Sequence, residues 1–215
     1  MKSILFTMLL FLSLVAEDKY SMRIAYGQAT TKDLGEILFF NIDKHPDDLT
    51  VLSLDAGYLL LDDMWELPFD LYVKGGISYF DEPNLQIYKT GPYTTQATYG
   101  ERSDAYEGTI YVKVYYKLDF WKNRIRFGLG EGLSYTTSVL WSEEKEATQE
   151  NEDYAKLLNY LDISVDFDLG RLIRYEPLED TYIGWTIKHR SGVFGLFSGV
   201  DGGSNYNTIS IEKNF

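Results

Sequence analysis

The sequence predicts an all-β fold, an eight-stranded antiparallel up-and-down transmembrane β-barrel. Three observations predict it: eight segments of alternating polarity, connections that alternate between short and long, and a last segment that ends in phenylalanine. Strands that cross an outer membrane obliquely need about nine to eleven residues, whereas strands of soluble proteins average about five or six. The eight segments are of the longer kind.

Composition restricts the class of protein further. The 215 residues are 45% hydrophobic and 16% aromatic, which is too apolar for a disordered chain. The absence of cysteine excludes disulfide frameworks, zinc ribbons and cysteine nucleophiles. A formal net charge of −13 argues against nucleic acid as a partner, because phosphates require a basic surface.

The N-terminus predicts export. Lys2 precedes an apolar run at 4–15, and Ala16 offers a cleavage point, so residues 1–16 are interpreted as a signal peptide and 17–215 as the mature barrel. The predicted destination is the outer membrane of a Gram-negative envelope. The alternative is an N-terminal membrane anchor. Beyond residue 19 the sequence has no second apolar run of about 18 residues that would form a membrane-spanning helix.

Alternation defines the strands in order. The predicted strands are 20–29, 50–61, 66–79, 109–120, 124–139, 157–169, 180–191 and 205–215. The connections 62–65 and 121–123 are short, while 30–48, 80–104, 140–156 and 192–204 are long and polar. This pattern predicts a barrel with both termini on the periplasmic side. Segment 36–42 is left open, either as a ninth strand or as part of the first outer loop.

Side chains on the two faces are expected to differ. Charged residues of the inward face are predicted to fill a narrow interior with salt bridges, namely Arg124, Arg126, Asp166, Asp168, Lys113 and Asp55. Aromatic girdles are expected at the strand ends, from Tyr20, Trp65, Tyr79, Tyr106, Trp121, Tyr135, Trp141 and Tyr206. The acidic stretch 143–153 is interpreted as a solvated loop, with binding of divalent cations as the alternative. A soluble barrel of lipocalin type, whose inward face would be apolar, is the alternative fold.

The seventh strand carries the candidate chemistry. Its apolar side contains Ile183, Trp185 and Ile187 and is expected to face lipid, so His189 and Ser191 continue that side at the outer rim. Serine needs an adjacent base to attack an ester, and an imidazole two positions away on a strand is within reach. The alternative interpretation is an interfacial pair that hydrogen-bonds lipid headgroups.

A family resemblance adds to this interpretation. His189, Arg190 and Ser191, the glycine-rich stretch 192–205 and a last strand ending in Phe215 resemble the C-terminal hairpin of the lipid A 3-O-deacylase (PagL) and acyloxyacyl-hydrolase-like outer-membrane family. The resemblance covers 189–215 and implies cleavage of an ester-linked acyl chain from lipid A by a pair on the outside of the barrel. Gly192 stands where the family usually has asparagine.

The resemblance also implies the remaining roles. Family members have an acid at the start of the last strand, where this chain has Asn205, with Asp201 in the preceding loop. Ser191 is therefore predicted to attack, His189 to act as base, and Asn205 or Asp201 to orient the imidazole. The oxyanion candidates are Gly192, Gly203 and Ser204.

The predicted partners are lipid A or lipopolysaccharide and the surrounding outer-membrane lipid, with no cofactor and no metal in the reaction. The oligomeric state is left open. The alternative function is a non-catalytic small barrel that serves adhesion or envelope integrity. A channel for small solutes is disfavoured, because eight strands enclose little space.

Overall fold

The computed structural model describes residues 19–82, 104–150 and 152–215 of the chain. Eight antiparallel strands pair in sequence order, and the first pairs with the last to close a barrel. They are β1 Tyr20–Thr30, β2 Thr50–Leu61, β3 Phe69–Asp81, β4 Ala105–Phe120, β5 Asn123–Thr136, β6 Leu157–Asp168, β7 Thr181–Ser191 and β8 Gly203–Asn214. The predicted fold class is confirmed. The predicted signal peptide at 1–16 lies outside the described residues.

Helices occur only in connections of the described chain. They are α1 Leu34–Leu38, α2 Trp141–Glu150 and α3 Leu169–Ile173, with 3₁₀ turns at Met64–Glu66 and Glu176–Leu178. Segment 36–42 is thus not a ninth strand but belongs to the first outer loop, which carries α1. Among the described residues, each helix is too short or too polar to traverse a bilayer.

The barrel wall is apolar outside and polar inside. In β8, Ile209 is 60% exposed and Ile211 is also exposed, whereas the intervening Ser210 and the following Glu212 are buried. This distribution is typical of a barrel whose outer wall contacts the hydrocarbon of a membrane. The lipocalin-type alternative is wrong, because it requires an apolar interior.

Ion pairs fill the interior. The guanidinium of Arg23 donates to Asp55 at 3.2 Å and to Asp162 at 2.5 Å, and Lys113 forms a further short ion pair with Asp162. A neighbouring layer pairs the amino group of Lys74 with Glu212 at 2.8 Å. These groups pair with one another, which is the condition for burying charge.

One predicted interior charge lies elsewhere. Arg124 is paired with Asp119 across the β4–β5 turn at 2.7 Å and is only half-buried. It follows the turn immediately, so its side chain lies at the end of the barrel and not within it. The other five predicted charges are buried.

The outer mouth is closed by α2. The backbone N–H of Trp141 donates to the carboxylate of Glu82 at 2.8 Å, and the indole packs in a buried cluster with Phe80 and Tyr206. Trp141 and Tyr206 were expected in the girdle, and that prediction is wrong because both side chains point into the mouth. Five of the other predicted girdle residues are exposed as expected: Tyr20, Trp65, Tyr106, Trp121 and Tyr135.

The interpretation of 143–153 as a solvated loop is also wrong in part. Residues 143–150 belong to α2, and Glu143 is buried with its carboxylate 2.7 Å from the guanidinium of Arg190. Burial raises the pKa of Glu143, while Arg190 and the hydroxyl of Ser204 oppose that rise. The acid therefore fixes α2 to the barrel interior.

Candidate functional site

The register of β7 positions the predicted pair on the outer wall. Lys188 and Arg190 are buried inside the barrel, where they pair with Glu107 and Glu143. Since side chains alternate along a strand, His189 and Ser191 point outward at the rim that carries the long connections. The sequence predicted this orientation, and the structure has it.

The imidazole of His189 is held across the β7–β8 pair. Its Nδ1 lies 2.7 Å from Oδ1 of Asn205, which is its register partner on β8. The amide NH₂ of Asn205 donates to the carbonyl of Lys32 at 3.0 Å, so the amide oxygen must be the atom that faces the ring. Nδ1 therefore carries the proton, and Nε2 keeps its lone pair. This is the tautomer that a general base requires.

Ser191 lies two positions further along β7 and is half-buried. Within the described residues no hydrogen bond links its hydroxyl to His189. Side chains at i and i+2 of a strand start about 6.5–7 Å apart, so rotation of the two side chains decides whether they meet. Catalytic hydrogen bonds often tighten only when substrate is present.

Both side chains open into one cleft of about 570 Å³. Its walls come from the first outer loop, from α2 and from the start of β8. Asp201, Gly203, Ser204 and Asn205 also line it, so the structure gathers most of the predicted site residues around one space.

The oxyanion candidates differ in availability. The N–H of Gly192 donates to the carbonyl of Gly202 at 3.1 Å, and the hydroxyl of Ser204 donates to Glu143 at 2.7 Å. Neither group is free for an oxyanion, and Gly192 does not line the cleft. Gly203 does line it, opposite Ser191 in the β7–β8 register.

Asp201 does not orient the histidine. It is exposed and lines the cleft, but within the described ranges its carboxylate makes no hydrogen bond to His189. Of the two orienting residues that the sequence left open, the structure brings Asn205 to the ring.

Sequence reasoning missed Asn159. It lies on the outward side of β6, where it is the register partner of Ser191, and it is largely buried. Outward partners in an antiparallel pair have Cβ atoms about 4.5–5.5 Å apart, which brings the amide close to the serine. Its place in the alternation of β6 was visible in the sequence, but its register against β7 was not.

The far wall of the cleft is tied together by polar contacts. Asp47 of the first loop accepts from the amino group of Lys145 at 2.7 Å and from the indole N–H of Trp141 at 2.6 Å. Burial opposes ionisation of Asp47, but these hydrogen bonds outweigh it and lower its pKa. Burial lowers the pKa of the neighbouring His45, although the carboxylate of Asp47 opposes this shift.

The described residues contain one acidic group compact enough to hold a cation, and it lies away from the cleft. Asp62, Asp63 and Asp70 meet at the short β2–β3 connection. The amino group of Lys117 lies 3.0, 3.0 and 2.6 Å from their carboxylates and neutralises part of their charge.

The fold and the outward-facing polar pair define a class: an eight-stranded transmembrane barrel of the outer-membrane type. No family model and no curated protein matches the sequence. Among solved structures the chain is similar to the outer membrane enzyme PagL, with a TM-score of 0.58 and 10% identity over 91% of this chain and 99% of that one. It is also similar to Neisserial surface protein A, with a TM-score of 0.46 and 12% identity over 93% and 98% of the two chains. At such identities the likeness to PagL shows the fold alone.

Proposed function

We propose that this protein is an outer-membrane serine hydrolase that removes an ester-linked acyl chain from lipid A or a related glycolipid. The observation that carries the proposal is the His189–Asn205 hydrogen bond beside Ser191, on the outward face of a largely apolar wall. Polar side chains on a lipid-facing surface are costly and usually functional. An oriented imidazole next to a serine is the minimal arrangement for acyl transfer.

The first step forms an acyl-enzyme. Nε2 of His189 takes the proton of the Ser191 hydroxyl while the serine oxygen bonds to the ester carbonyl carbon. The tetrahedral intermediate collapses by breaking the bond to the sugar oxygen. The imidazolium returns the proton to that oxygen, which leaves as a free hydroxyl.

The second step releases the fatty acid. Nε2 takes a proton from water while the water oxygen attacks the acyl-serine carbonyl, and the serine oxygen leaves with that proton. Asn205 holds Nδ1 throughout both steps. Because its oxygen is an amide oxygen and not a carboxylate, it fixes the ring without fully stabilising the imidazolium.

The negative oxygen of the intermediate needs donors. The amide NH₂ of Asn159, opposite Ser191 on β6, is the side-chain donor best placed by the register. Gly203 is the register partner of Ser191 on the other side, on β8. An asparagine side chain is a known type of oxyanion donor. Asn159 would thus supply the side-chain oxyanion donor that Gly192 lacks.

A lipid substrate fits the position of the site. The pair lies at the outer rim of an apolar belt, where an acyl ester of the outer leaflet would present its carbonyl. The fold that the chain shares with PagL, an outer membrane enzyme, agrees with this location. Export through a signal peptide at 1–16 and residence in the outer membrane are part of the proposal.

The second candidate is a non-catalytic barrel that serves adhesion or envelope integrity. Two observations favour it: the hydroxyl of Ser191 makes no hydrogen bond to His189 within the described residues, and the N–H of Gly192 is already used. Under this alternative His189 and Ser191 would bind lipid headgroups without reaction.

Mass spectrometry of lipid A decides between the two. The full chain, Ser191→Ala and His189→Gln are each expressed in cells and each incubated, after purification, with lipid A in detergent. We expect loss of one acyl chain with the unmodified protein and no loss with either variant. Ser198→Ala, at an exposed position in the connection between β7 and β8, is the matched control and should retain activity. An unchanged acyl pattern with the unmodified, folded protein would contradict the hydrolase and favour the alternative.

A further inference from the structure

The cleft beside His189 extends from the outer wall of the barrel toward its mouth. The carbonyl of Ala29 in β1 accepts from the N–H of His45 at 2.9 Å, and the N–H of Ala29 donates to the carbonyl of Leu49. Both polar groups of Ala29 therefore point away from β8, so His45 lies on the far side of β1. About three strand spacings, or roughly 14 Å, separate it from His189, which leaves room for a sugar headgroup between them.

His45 presents an unused donor to this cleft. It is only 7% exposed, and its Nδ1 accepts from the backbone N–H of Asp47 at 3.2 Å. Since a backbone N–H can only donate, the ring carries its proton on Nε2. The ring lines the cleft, and within the described ranges Nε2 makes no hydrogen bond. A largely buried donor without a partner favours a ligand that offers it an oxygen.

The opposite side of the cleft is acidic. Asp201 is exposed there, and the carboxylates of Glu146 and Glu152 lie 3.7 and 3.9 Å from the position that a Cβ on Gly202 would occupy. These three acids, here called the acidic rim, all line the cleft. The residue after Gly202 is the register partner of Ser191, so the acidic rim lies beside the candidate nucleophile.

The lysines of the cleft leave its charge negative. With Asp33 included, the described lining residues carry four carboxylates and two amino groups, those of Lys32 and Lys145. The amino group of Lys32 lies 3.3 Å from Glu36, and that of Lys145 lies 2.7 Å from Asp47, two further acids outside the lining. A phosphate in this cleft would meet net repulsion, whereas an ammonium group would be attracted.

The acidic rim does not have the form of a metal site. A divalent ion such as calcium draws its oxygen ligands to about 2.3–2.6 Å, so those ligands must lie close together. Among the described residues only the acids at the β2–β3 connection are that compact. The acidic rim is therefore better suited to a larger, organic cation.

We propose that the cleft is a headgroup subsite that selects glycolipids bearing an ammonium group, with the acidic rim as the partner of that charge and His45 as donor to a headgroup oxygen. The inference rests on the proposed function and names its substrate class: an acyl ester of a sugar that carries a primary amine. Asp201, which does not orient the histidine, takes the role of a specificity residue.

Binding to an inactive variant tests the charge preference. Ser191→Ala protein in detergent is titrated with three tetradecanoyl esters of glucose that differ only in the aglycone: aminoethyl, hydroxyethyl or phosphoethyl. We expect the aminoethyl ester to bind about fivefold more tightly than the hydroxyethyl ester, the effect of one partly exposed ion pair, and the phosphoethyl ester to bind most weakly. High salt should reduce these differences. Equal binding of the three esters, or tightest binding of the phosphoethyl ester, would overturn the proposal.

Neutral variants locate the preference. Adding Asp201→Asn and Glu146→Gln to Ser191→Ala should remove the preference for the aminoethyl ester and leave binding of the hydroxyethyl ester unchanged. Asp48→Asn is the matched control, because it removes an acid of the first outer loop that does not line the cleft. A preference that survives in the acidic-rim variant, or that falls equally in Asp48→Asn, would count against the acidic rim.

Labelled histidine tests His45 directly. The chain has two histidines, so His189→Gln leaves His45 as the single histidine. In the NMR spectrum of this variant, labelled with a nitrogen isotope at histidine, the Nε2–H signal should shift when the hydroxyethyl ester is added. Tetradecanoic acid, which has no sugar, should leave the signal in place. An unmoved signal at saturating ester would overturn the assignment of His45.

The two proposals fail in different ways. If the unmodified protein cleaves none of the esters but the charge preference depends on the acidic rim, the hydrolase fails and the headgroup subsite stands. If all three esters are cleaved with equal efficiency and the acidic-rim variant has no effect, the headgroup subsite fails and the hydrolase stands.

Discussion

Nδ1 of His189 and Oδ1 of Asn205 are 2.7 Å apart across the β7–β8 pair, and the other end of the same amide is held by the carbonyl of Lys32. Lys32 of the first loop thus fixes the orientation of the Asn205 amide, and that amide in turn orients the imidazole of His189. The imidazole is locked in one tautomer by neutral groups alone. Asn205 therefore orients the ring by hydrogen-bond geometry and does not add a negative charge beside it.

Asn205 should control turnover. In Asn205→Leu the ring loses its acceptor, so the wrong tautomer becomes accessible and kcat should fall about 10- to 100-fold, less than the loss seen when a carboxylate orienter is removed. Asn205→Asp keeps an acceptor and should retain a kcat well above that of Asn205→Leu. Both are measured as acyl release from lipid A. Wild-type kcat in Asn205→Leu would show that the hydrogen bond has no catalytic role.

Asn159 should affect the transition state and not substrate binding. Removing a single oxyanion donor costs about 10²–10³ in kcat, so Asn159→Leu should lower kcat by this order with little change in KM. Asn123→Leu, at the start of β5 and remote from the cleft, is the matched control. An equal loss in both variants would point to a structural effect of losing an amide.

An asparagine directly after Ser191, at position 192, should not raise activity. A Cβ at Gly192 would lie 1.9 Å from the carbonyl oxygen of Val200, whereas a Cβ at Gly35 meets nothing within 4 Å. We expect Gly192→Asn and Gly192→Ala to destabilise the barrel by about 1–3 kcal/mol, as overpacking does. Gly35→Ala should be close to neutral. Urea titrations in lipid vesicles measure all three, and a Gly192→Asn protein of wild-type stability and higher activity would refute this expectation.

The interior ion pairs should support the fold. Asp162 is fully buried between Arg23 and Lys113, so Asp162→Asn leaves charge without its partner and should cost about 3 kcal/mol of unfolding free energy. Asp48→Asn breaks an exposed pair with Lys44 and should cost less than about 1 kcal/mol. The same urea titrations compare them. Equal losses would mean that the buried network adds no more than a surface pair does.

Attachment of segment 34–42 of the first outer loop to the rim of the barrel should fail in acid. Hydrogen bonds from Thr30 and Thr31 lower the pKa of Asp43 below the usual value of about 3.9. Because the pKa is lowered on folding, the stabilisation is complete above about pH 3.9 and is lost as the pH falls through the lower folded value. A spin label at Phe39→Cys should therefore become more mobile below about pH 3.9. Adding Asp43→Asn should remove the transition, and a transition that persists in that variant would assign it to another group.

The sequence by itself determined the barrel. Alternation has a period of two and persists for 11 to 16 residues in each strand, so strand count, both faces and the outward direction of His189 and Ser191 followed from local pattern. The inward direction of Lys188 and Arg190 followed for the same reason. These features depend on covalent geometry and on which face must meet hydrocarbon.

Tertiary structure decided the contacts between strands and loops. Whether Asn205 or Asp201 reaches His189, and that Asn159 lies opposite Ser191, depend on register, which alternation does not specify. The burial of Glu143 depends on the docking of α2 into the mouth. Segment 34–42 of the first outer loop lies on the outer wall because Phe40 stacks on Trp185, a contact between residues 145 positions apart that no local pattern encodes.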